Sequence, residues 1–344
     1  MKFRLERYPN NKNSQPILTP RKDIEWEAAA VFNPSVVHNN GTFHMLYRTY
    51  TSETKELEQK EHRPGFKLKH QISYIGYASS TDGINFKRRD TPFISPDQPY
   101  DKFGVEDPRI TKIGDTFYIT YTAIDKSLES KEKERPNVRI ALASTKDFQA
   151  IEKHGIIGPP ETSKAAAFFP EKVNGGKIGL LMTIASDSTN SHVALRYYDS
   201  MDEVVNQTDE SWREFLSHSM DTAVLKTYWW LHRGPELGAS PIKTDKGWLL
   251  IYSAEGMSHT WTTAAALTDL NEPHKLIART PGYILEPVTD YEREGLVPQV
   301  TFPEAAVIVG DKLYVYYGGA DTVIGLAMCN LQELLDYLEN FKGK

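Results

Sequence analysis

Apolar and polar positions alternate along this chain in short runs, and the runs come in pairs. In the first pair, residues 32–37 and 42–48 are joined by the turn Asn39-Asn40-Gly41. A period of two predicts strands, and a glycine turn between two such runs predicts a β-hairpin. The same frame, in which a glycine follows a proline by six or seven residues, occurs five times in the sequence. Its prolines are Pro34, Pro108, Pro170, Pro241 and Pro303.

The regular spacing of these copies predicts the architecture. Each hairpin is followed by a further strand-like run and a polar turn, as in Ile75-Gly76-Tyr77-Ala78 and Ser80-Thr81-Asp82-Gly83. Repeats of about four antiparallel strands that fill a chain are typical of β-propellers. The sequence therefore predicts an all-β fold, a five-bladed β-propeller with a short C-terminal helix.

We expect one domain over residues 1–344, with three segments added to the repeats. Residues 1–30 are a polar N-terminal arm. Residues 201–230 are predicted to be a partly helical insertion near the mouth of the site, with an oligomer contact as the alternative. Residues 331–344 begin with leucines at 331, 334, 335 and 338, a spacing that predicts a helix.

Composition narrows the class of protein mainly by exclusion. The net charge is −6 and there is no long basic run, which argues against nucleic acid or an anionic membrane as a partner. The single cysteine, Cys329, excludes an intrachain disulfide and a cysteine metal cluster. Without an apolar span or a signal-peptide core near Met1, we expect a cytoplasmic protein. Homo-oligomers stay possible.

The starts of the repeats hold the candidate chemistry. In a propeller the first strands of the blades converge on a central channel, so these starts would line one mouth of it. That places Asn33, Asp107, Glu236 and Glu304 around one point. Paired carboxylates in a pocket indicate general acid–base catalysis. No histidine cluster at ligand spacing and no glycine-rich phosphate loop is evident, so we expect no metal and no cofactor.

The segment Gly104–Ile110 contains two adjacent carboxylates, Glu106 and Asp107, before Pro108 and Arg109. Asp-Pro is also a common turn sequence, so a purely structural role is the alternative. Because successive strand residues face opposite sides, we expect the two carboxylates in different environments. Glu106 is then expected to orient Arg109 or a turn.

Taken together, these segments resemble glycoside hydrolase family 130, a family of inverting β-mannoside phosphorylases and β-1,2-mannosidases on five-bladed propellers. The resemblance spans essentially the whole chain, and its most specific pieces are Gly104–Arg109 and Tyr316–Gly325. It implies that Asp107 donates a proton to the glycosidic oxygen, relayed through a mannose hydroxyl. It also implies that Asn33, Arg48 and Asp321 line the mannose subsite.

The resemblance leaves the nucleophile open. Phosphate needs fixed cations, whereas water needs a carboxylate base roughly 6.5–9.5 Å from the acid. Arg139 and Lys164 match the phosphate-binding set expected of the family's phosphorylases. At four other positions, where basic or small residues are expected in those phosphorylases, the chain has Tyr74, Glu236, Ser253 and Glu304.

The apparent loss of cations and gain of carboxylates favours hydrolysis. We therefore predict an inverting β-1,2-mannosidase that releases mannose from β-1,2-linked mannooligosaccharides. Glu236 or Glu304 would activate the water, with Glu255 a weaker candidate in a turn that could be solvated. One alternative is an inverting β-mannoside phosphorylase that produces mannose 1-phosphate, which Arg139 and Lys164 support. Another is a propeller that binds carbohydrate without catalysis.

Overall fold

The computed structural model describes residues 3–9, 14–51, 55–60, 63–68, 71–126, 137–186 and 188–343. It is mostly β, and the prediction of a short C-terminal helix is confirmed. The strands are β1 (Glu6–Arg7), β2 (Ala30–Asn39), β3 (Thr42–Tyr50), β4 (Lys55–Lys60), β5 (Arg63–Leu68), β6 (Ser73–Ser80), β7 (Lys87–Arg88), β8 (Gly104–Ile113), β9 (Thr116–Ile124), β10 (Val138–Thr145), β11 (Glu152–Ile156), β12 (Lys164–Phe168), β13 (Ile178–Ile184), β14 (His192–Tyr198), β15 (Ala223–Leu225), β16 (Leu231–Leu237), β17 (Ile242–Thr244), β18 (Gly247–Gly256), β19 (Trp261–Thr268), β20 (Leu276–Arg279), β21 (Thr301–Val309), β22 (Lys312–Gly319) and β23 (Val323–Asn330). The helices are a 3-10 turn (Glu25–Glu27), α1 (Met201–Val205), α2 (Asp209–Ser217), α3 (Asp290–Arg293) and α4 (Leu331–Glu339).

The predicted hairpins lie in consecutive antiparallel groups of strands. The groups are β2-β3-β6-β7, β8-β9-β10-β11, β12-β13-β14-β15, β16-β18-β19-β20 with β17 beside β18, and β21-β22-β23-β1. The first two groups share one sheet through a single parallel pair, Ser73 and Gly104. In the third copy the first strand ends at Phe168, before the predicted Phe169 start. In the fourth copy β16 precedes the predicted strand and pairs with β18.

Five buried apolar clusters each join two consecutive groups. One contains Ile75 of the first group and Ile119 of the second, and another contains Leu142 of the second and Leu180 of the third. The third and fourth groups share a cluster around Trp248, and the fourth and fifth share one around Ile251. The last cluster joins the fifth group back to the first, because it contains Tyr316 and Met45. These five clusters therefore connect each group to the next, and the fifth group to the first.

The two ends of the chain meet in the last sheet. Strand β1 of the N-terminal arm pairs with β23, with Glu6 opposite Met328 and Arg7 opposite Ala327. Helix α4 follows β23 directly and begins at the cap Asn330, whose side chain accepts a hydrogen bond from the Glu333 amide. Its buried leucines pack in the core shared by the fourth and fifth groups. None of the helices in the described ranges has the length and apolar character needed to cross a membrane.

Residues 201–230 contain α1, α2 and β15, so part of this segment is the fourth strand of the third group. Trp212 of α2 is fully buried and packs in the cluster shared by the second and third groups. The segment ends in Trp229 and Trp230, of which Trp229 is among the most exposed large apolar side chains. Its predicted place near the mouth of the site stays a prediction.

Three groups contain the same buried arrangement, in which a carboxylate accepts a hydrogen bond from a tyrosine of the second strand. We call Glu27, Asp101 and Glu292 the peripheral carboxylates; all three are fully buried. They accept from Tyr47 (2.9 Å), Tyr121 (3.2 Å) and Tyr317 (2.7 Å). Each also pairs with basic side chains: Glu27 with Arg21 and Arg88, Asp101 with Lys153, and Glu292 with Arg7.

Two glycines make room for these tyrosines. A Cβ at Gly76 would overlap the Tyr47 ring, and a Cβ at Gly325 would overlap the Tyr317 ring. Any side chain at either position would therefore displace the ring whose hydroxyl reaches the peripheral carboxylate. This close approach explains why Ile-Gly recurs at 75–76 and 324–325, at equivalent places in the first and fifth groups.

Candidate active site

A backbone irregularity recurs near the start of the first strand of each group. The ladder skips Asn33 in β2, Asp107 with Pro108 in β8, Ala165 in β12 and Glu304 in β21, and β16 is also shifted. The residues Asn33, Asp107 and Ala165 have φ of 48°, 51° and 55°. A β-bulge leaves its extra residue outside the ladder and re-aims the side chain. Positive φ in residues other than glycine is uncommon and often marks functional sites.

The bulges bring Asn33 and Asp107 into direct contact. Asn33 Nδ2 donates to Asp107 Oδ1 over 2.8 Å, and Arg48 Nη1 donates to the same oxygen over 3.0 Å. Arg48 Nη2 also lies 2.7 Å from Glu106 Oε1. The expectation that Glu106 and Asp107 occupy different environments is therefore wrong. The left-handed conformation at Asp107 breaks the strand alternation, so both carboxylates reach one guanidinium.

Arg109 connects three of the five groups. It is almost fully buried and donates to the carbonyl oxygens of Leu237 and Gly238, each over 2.8 Å. Its Nη2 also donates to Glu304 Oε1 over 3.1 Å. Glu304, not Glu106, is thus the carboxylate that pairs with Arg109. Glu236, next to Leu237, is buried and accepts a hydrogen bond from Ser186 Oγ over 2.5 Å.

Burial and charge divide the protons unequally among these carboxyl groups. Burial raises the pKa of Glu304 well above its ordinary value, although Arg109 opposes the shift. Burial likewise raises the pKa of Glu106, against the charge of Arg48. At Asp107 burial acts in the same direction but is outweighed by Arg48 and by the hydrogen bond from Asn33, so its pKa is lowered. As the pH falls, Glu304 and Glu106 therefore bind protons before Asp107 does.

Three buried polar atoms in this centre have no hydrogen-bond partner among the described residues. They are Asn33 Oδ1, Arg48 Nε and Glu304 Oε2. Buried polar atoms are normally paired, because desolvating one without a partner costs about 1–3 kcal/mol. One donor and two acceptor positions around Asp107 suit a ligand that both donates and accepts, as sugar hydroxyls do. With Glu304 protonated, its oxygen becomes a further donor.

The other predicted residues fall into two sets. The charges of Asp321 and Lys164 act on Arg48 and Glu106, and Glu236 acts on Glu304, so all three lie near the centre. Arg139 instead donates to the carbonyl oxygens of Pro159 and Gly158, over 2.8 and 3.0 Å. No described contact joins its guanidinium to the central carboxylates.

Glu255 differs from its predicted environment. It is buried near the end of strand β18, so the predicted turn is wrong and the solvated alternative does not apply. It lies close to His232 and His259, and the three side chains place ligand atoms within 4.8 Å of one another. Sequence reasoning missed these two histidines, and it also missed Tyr50, which contacts Arg48 and donates to Glu106 over 3.3 Å.

Known proteins match this chain over nearly its whole length. A family model of glycoside hydrolase family 130, described as beta-1,4-mannooligosaccharide phosphorylase, matches residues 5–340. A 1,2-beta-oligomannan phosphorylase of Thermoanaerobacter sp. (strain X514) is 35% identical over 322 residues, covering 94% of this chain and 97% of the relative. A beta-1,2-mannobiose phosphorylase of the same strain is 37% identical over 332 residues, covering 96% and 99%.

A solved structure is similar over the same extent. The beta-1,2-mannobiose phosphorylase from Listeria innocua, in complex with beta-1,2-mannobiose, has a TM-score of 0.74 and 27% identity to this chain. The match covers 98% of this chain and 99% of that one. Because the family model and both relatives cover nearly the full length, the motif Gly104–Arg109 lies within a family-wide match. The chain therefore belongs to glycoside hydrolase family 130.

Proposed function

We propose that this chain is an inverting β-mannoside phosphorylase, which cleaves β-1,2-linked mannooligosaccharides with inorganic phosphate and produces mannose 1-phosphate. The observation that carries the proposal is the identity to the two Thermoanaerobacter relatives over nearly their full length, since both are named as phosphorylases of β-1,2-mannosides. These relatives favour the phosphorylase alternative over the hydrolase that sequence analysis placed first.

In this proposal the five groups are blades around a channel, within one domain over residues 1–344. The five apolar clusters support a ring, because they follow the groups in order and return from the fifth to the first. The bulges then all face the channel, which agrees with the contacts among Asn33, Asp107 and Arg109. Residues 201–230 are a cap beside the mouth.

Asp107 is the general acid. An oxygen of phosphate forms a bond to the anomeric carbon on the face opposite the leaving group, and the glycosidic bond breaks. The leaving oxygen receives a proton that originates on Asp107 and passes through a mannose hydroxyl. Asn33 and Arg48 hold the carboxylate in place. Its lowered pKa would leave it ionised in the free protein, but a phosphate anion bound nearby adds negative charge and raises that pKa.

The charge balance of the centre supports an anionic acceptor better than the sequence suggests. Sequence analysis counted Glu304 among the carboxylates that favour hydrolysis. Its raised pKa keeps it neutral to higher pH, and in that form it can donate a hydrogen bond to a phosphate oxygen. Arg48 and Arg109 form ion pairs with Asp107 and Glu304, and the charge of Lys164 acts on Glu106.

Hydrolysis is the second candidate, and one observation favours it. Glu236 is a buried carboxylate whose charge acts on Glu304, and inverting hydrolysis needs a second carboxylate as the base. Glu304 is less suited to this role than sequence analysis expected, because burial raises its pKa, so that it ionises only at higher pH, and because one of its oxygens already accepts a hydrogen bond from Arg109. Of the two glutamates, Glu236 is therefore the base to test.

The deciding experiment measures the products formed from β-1,2-mannobiose with and without inorganic phosphate. We expect one mannose and one mannose 1-phosphate per disaccharide, only with phosphate, at a rate that saturates with phosphate concentration. Two mannose per disaccharide at equal rates in both conditions would contradict the proposal and establish the hydrolase. In that case Glu236→Gln should abolish mannose release, while the exposed-residue control Glu171→Gln should not.

A further inference from the structure

The end of the fourth group holds a second cluster of titratable side chains. His232 lies at the start of β16, Glu255 lies near the end of β18, and His259 lies in the turn before β19. We propose that these three residues bind one divalent transition-metal ion of the zinc class, as two imidazole nitrogens and one carboxylate oxygen. The proposal stands independently of which acceptor the enzyme uses.

The distances suit such a site. His259 Nδ1 lies 3.3 Å from Glu255 Oε1, and the two imidazole rings are 4.2 Å apart at an angle of 71°. In a tetrahedral zinc site with bonds of about 2.0–2.1 Å, neighbouring ligand atoms are ~3.3 Å apart. The observed pair is at that spacing already, and the other separations, all within 4.8 Å, can close with rotation of a half-exposed imidazole.

Two separate backbone irregularities aim the histidines at Glu255. The β16–β18 ladder shifts between Leu231 and Arg233, which takes His232 out of register. The turn after β18 is closed by the Gly256 amide donating to the Thr260 carbonyl over 3.0 Å, and within it His259 has φ of 57°. A left-handed residue other than glycine is a costly way to build a turn. Here it places the imidazole over the carboxylate.

The surrounding charge fixes which oxygen would bind the ion. Arg233 Nε lies 3.2 Å from Glu255 Oε2, so this oxygen faces a fixed cation. Oε1 faces the histidines and is the ligand oxygen. Oε2 accepts no hydrogen bond within the described residues, although Glu255 is 3% exposed. Arg233 and a metal would then each balance one side of this buried carboxylate.

Imidazole and carboxylate together select the ion class. Neutral imidazole suits zinc, nickel, cobalt and copper, whereas calcium and magnesium prefer all-oxygen sites. Three protein ligands leave one position for water or a hydroxyl group. The ion would also link the start of β16 to the β18–β19 turn. Its ligand His232 precedes Glu236 by four residues in the same strand.

The test is direct binding to the full-length protein after chelator treatment and dialysis. Titration calorimetry with zinc chloride should show one saturable site per chain, and cobalt should give the visible absorption of a low-coordinate complex. His259→Ala and His232→Ala should each weaken zinc binding by roughly tenfold or more. The matched control His218→Ala removes an exposed imidazole outside the cluster and should leave the affinity unchanged.

Two results would overturn the proposal. One is the absence of saturable zinc binding to the wild-type protein, which would leave a metal-free hydrogen-bonded His–Glu pair. The other is unchanged affinity in both histidine variants. If Glu255→Gln lowers the thermal midpoint too far to be assayed, the half-exposed histidine variants still decide the matter.

Discussion

The buried carboxylates at the centre and those at the periphery are held in opposite ways. Both carboxylate oxygens of Glu27, Asp101 and Glu292 accept at least one hydrogen bond. Each of these carboxylates has a tyrosine and a basic side chain among its partners. At the centre, by contrast, Glu304 Oε2 has no partner within the described residues. A fully satisfied network specifies structure, whereas unpaired buried atoms suit a ligand that supplies the missing bonds.

The largest test of this contrast is at Asp107. We expect Asp107→Asn to lower kcat by about 10²–10⁴-fold, since the amide cannot supply the proton. Binding of β-1,2-mannobiose should persist, because Asn keeps an oxygen for Asn33 and Arg48. Steady-state kinetics and calorimetry measure the two quantities. The control Asp115→Asn, an exposed residue of the same hairpin, should change neither. A wild-type kcat in Asp107→Asn would contradict the assignment of Asp107 as the general acid.

The next test is at a peripheral carboxylate. Glu292→Gln leaves Arg7 without its buried counter-charge and should lower the free energy of unfolding by about 3 kcal/mol. Activity per folded molecule should be unchanged, which separates this position from Asp107. Urea unfolding gives the stability. Glu171→Gln breaks an exposed ion pair with Lys243 and should cost under about 1 kcal/mol. Equal losses of unfolding free energy in Glu292→Gln and Glu171→Gln would contradict a special structural role for the buried Glu292.

The smallest effect concerns pH and Glu304. Its raised folded-state pKa means that the native protein binds more protons than the unfolded chain above the ordinary value of 4.5. The stability this supplies is complete below that value and is lost as pH rises through the folded pKa. Glu304→Gln should remove this loss, changing the slope of unfolding free energy by up to about 1.4 kcal/mol per pH unit. Parallel pH profiles for the two proteins would contradict the raised pKa.

Much of the fold follows from local patterns, because they are strictly periodic. The Pro–Gly frame located the hairpins of the first, second and fifth groups, and the leucine spacing located α4. The pairing of β1 with β23 could not be predicted, since a two-residue strand carries no periodic signal. The start of β16 was missed for a related reason, as Gly234 and Pro235 interrupt its alternation.

The sequence predicted which residues come together at the site better than it predicted how they pair. Asn33, Arg48 and Asp107 do meet, and all three lie in segments that resemble the family. The partner of Arg109 was wrong because strand alternation was applied to a residue that turns out to have positive φ. The cluster of His232, Glu255 and His259 was invisible, because a bulge and a left-handed turn create it, and neither is encoded in spacing.

The pairing of β1 with β23 also has a consequence for synthesis on the ribosome. Residues 6–7 are translated long before their partners at 327–328. The sheet that carries Glu304 therefore stays incomplete, with β1 unpaired, until those partners have been made. A nascent fragment that ends before β21 would also leave the first group without the apolar side chains that the fifth group packs against it.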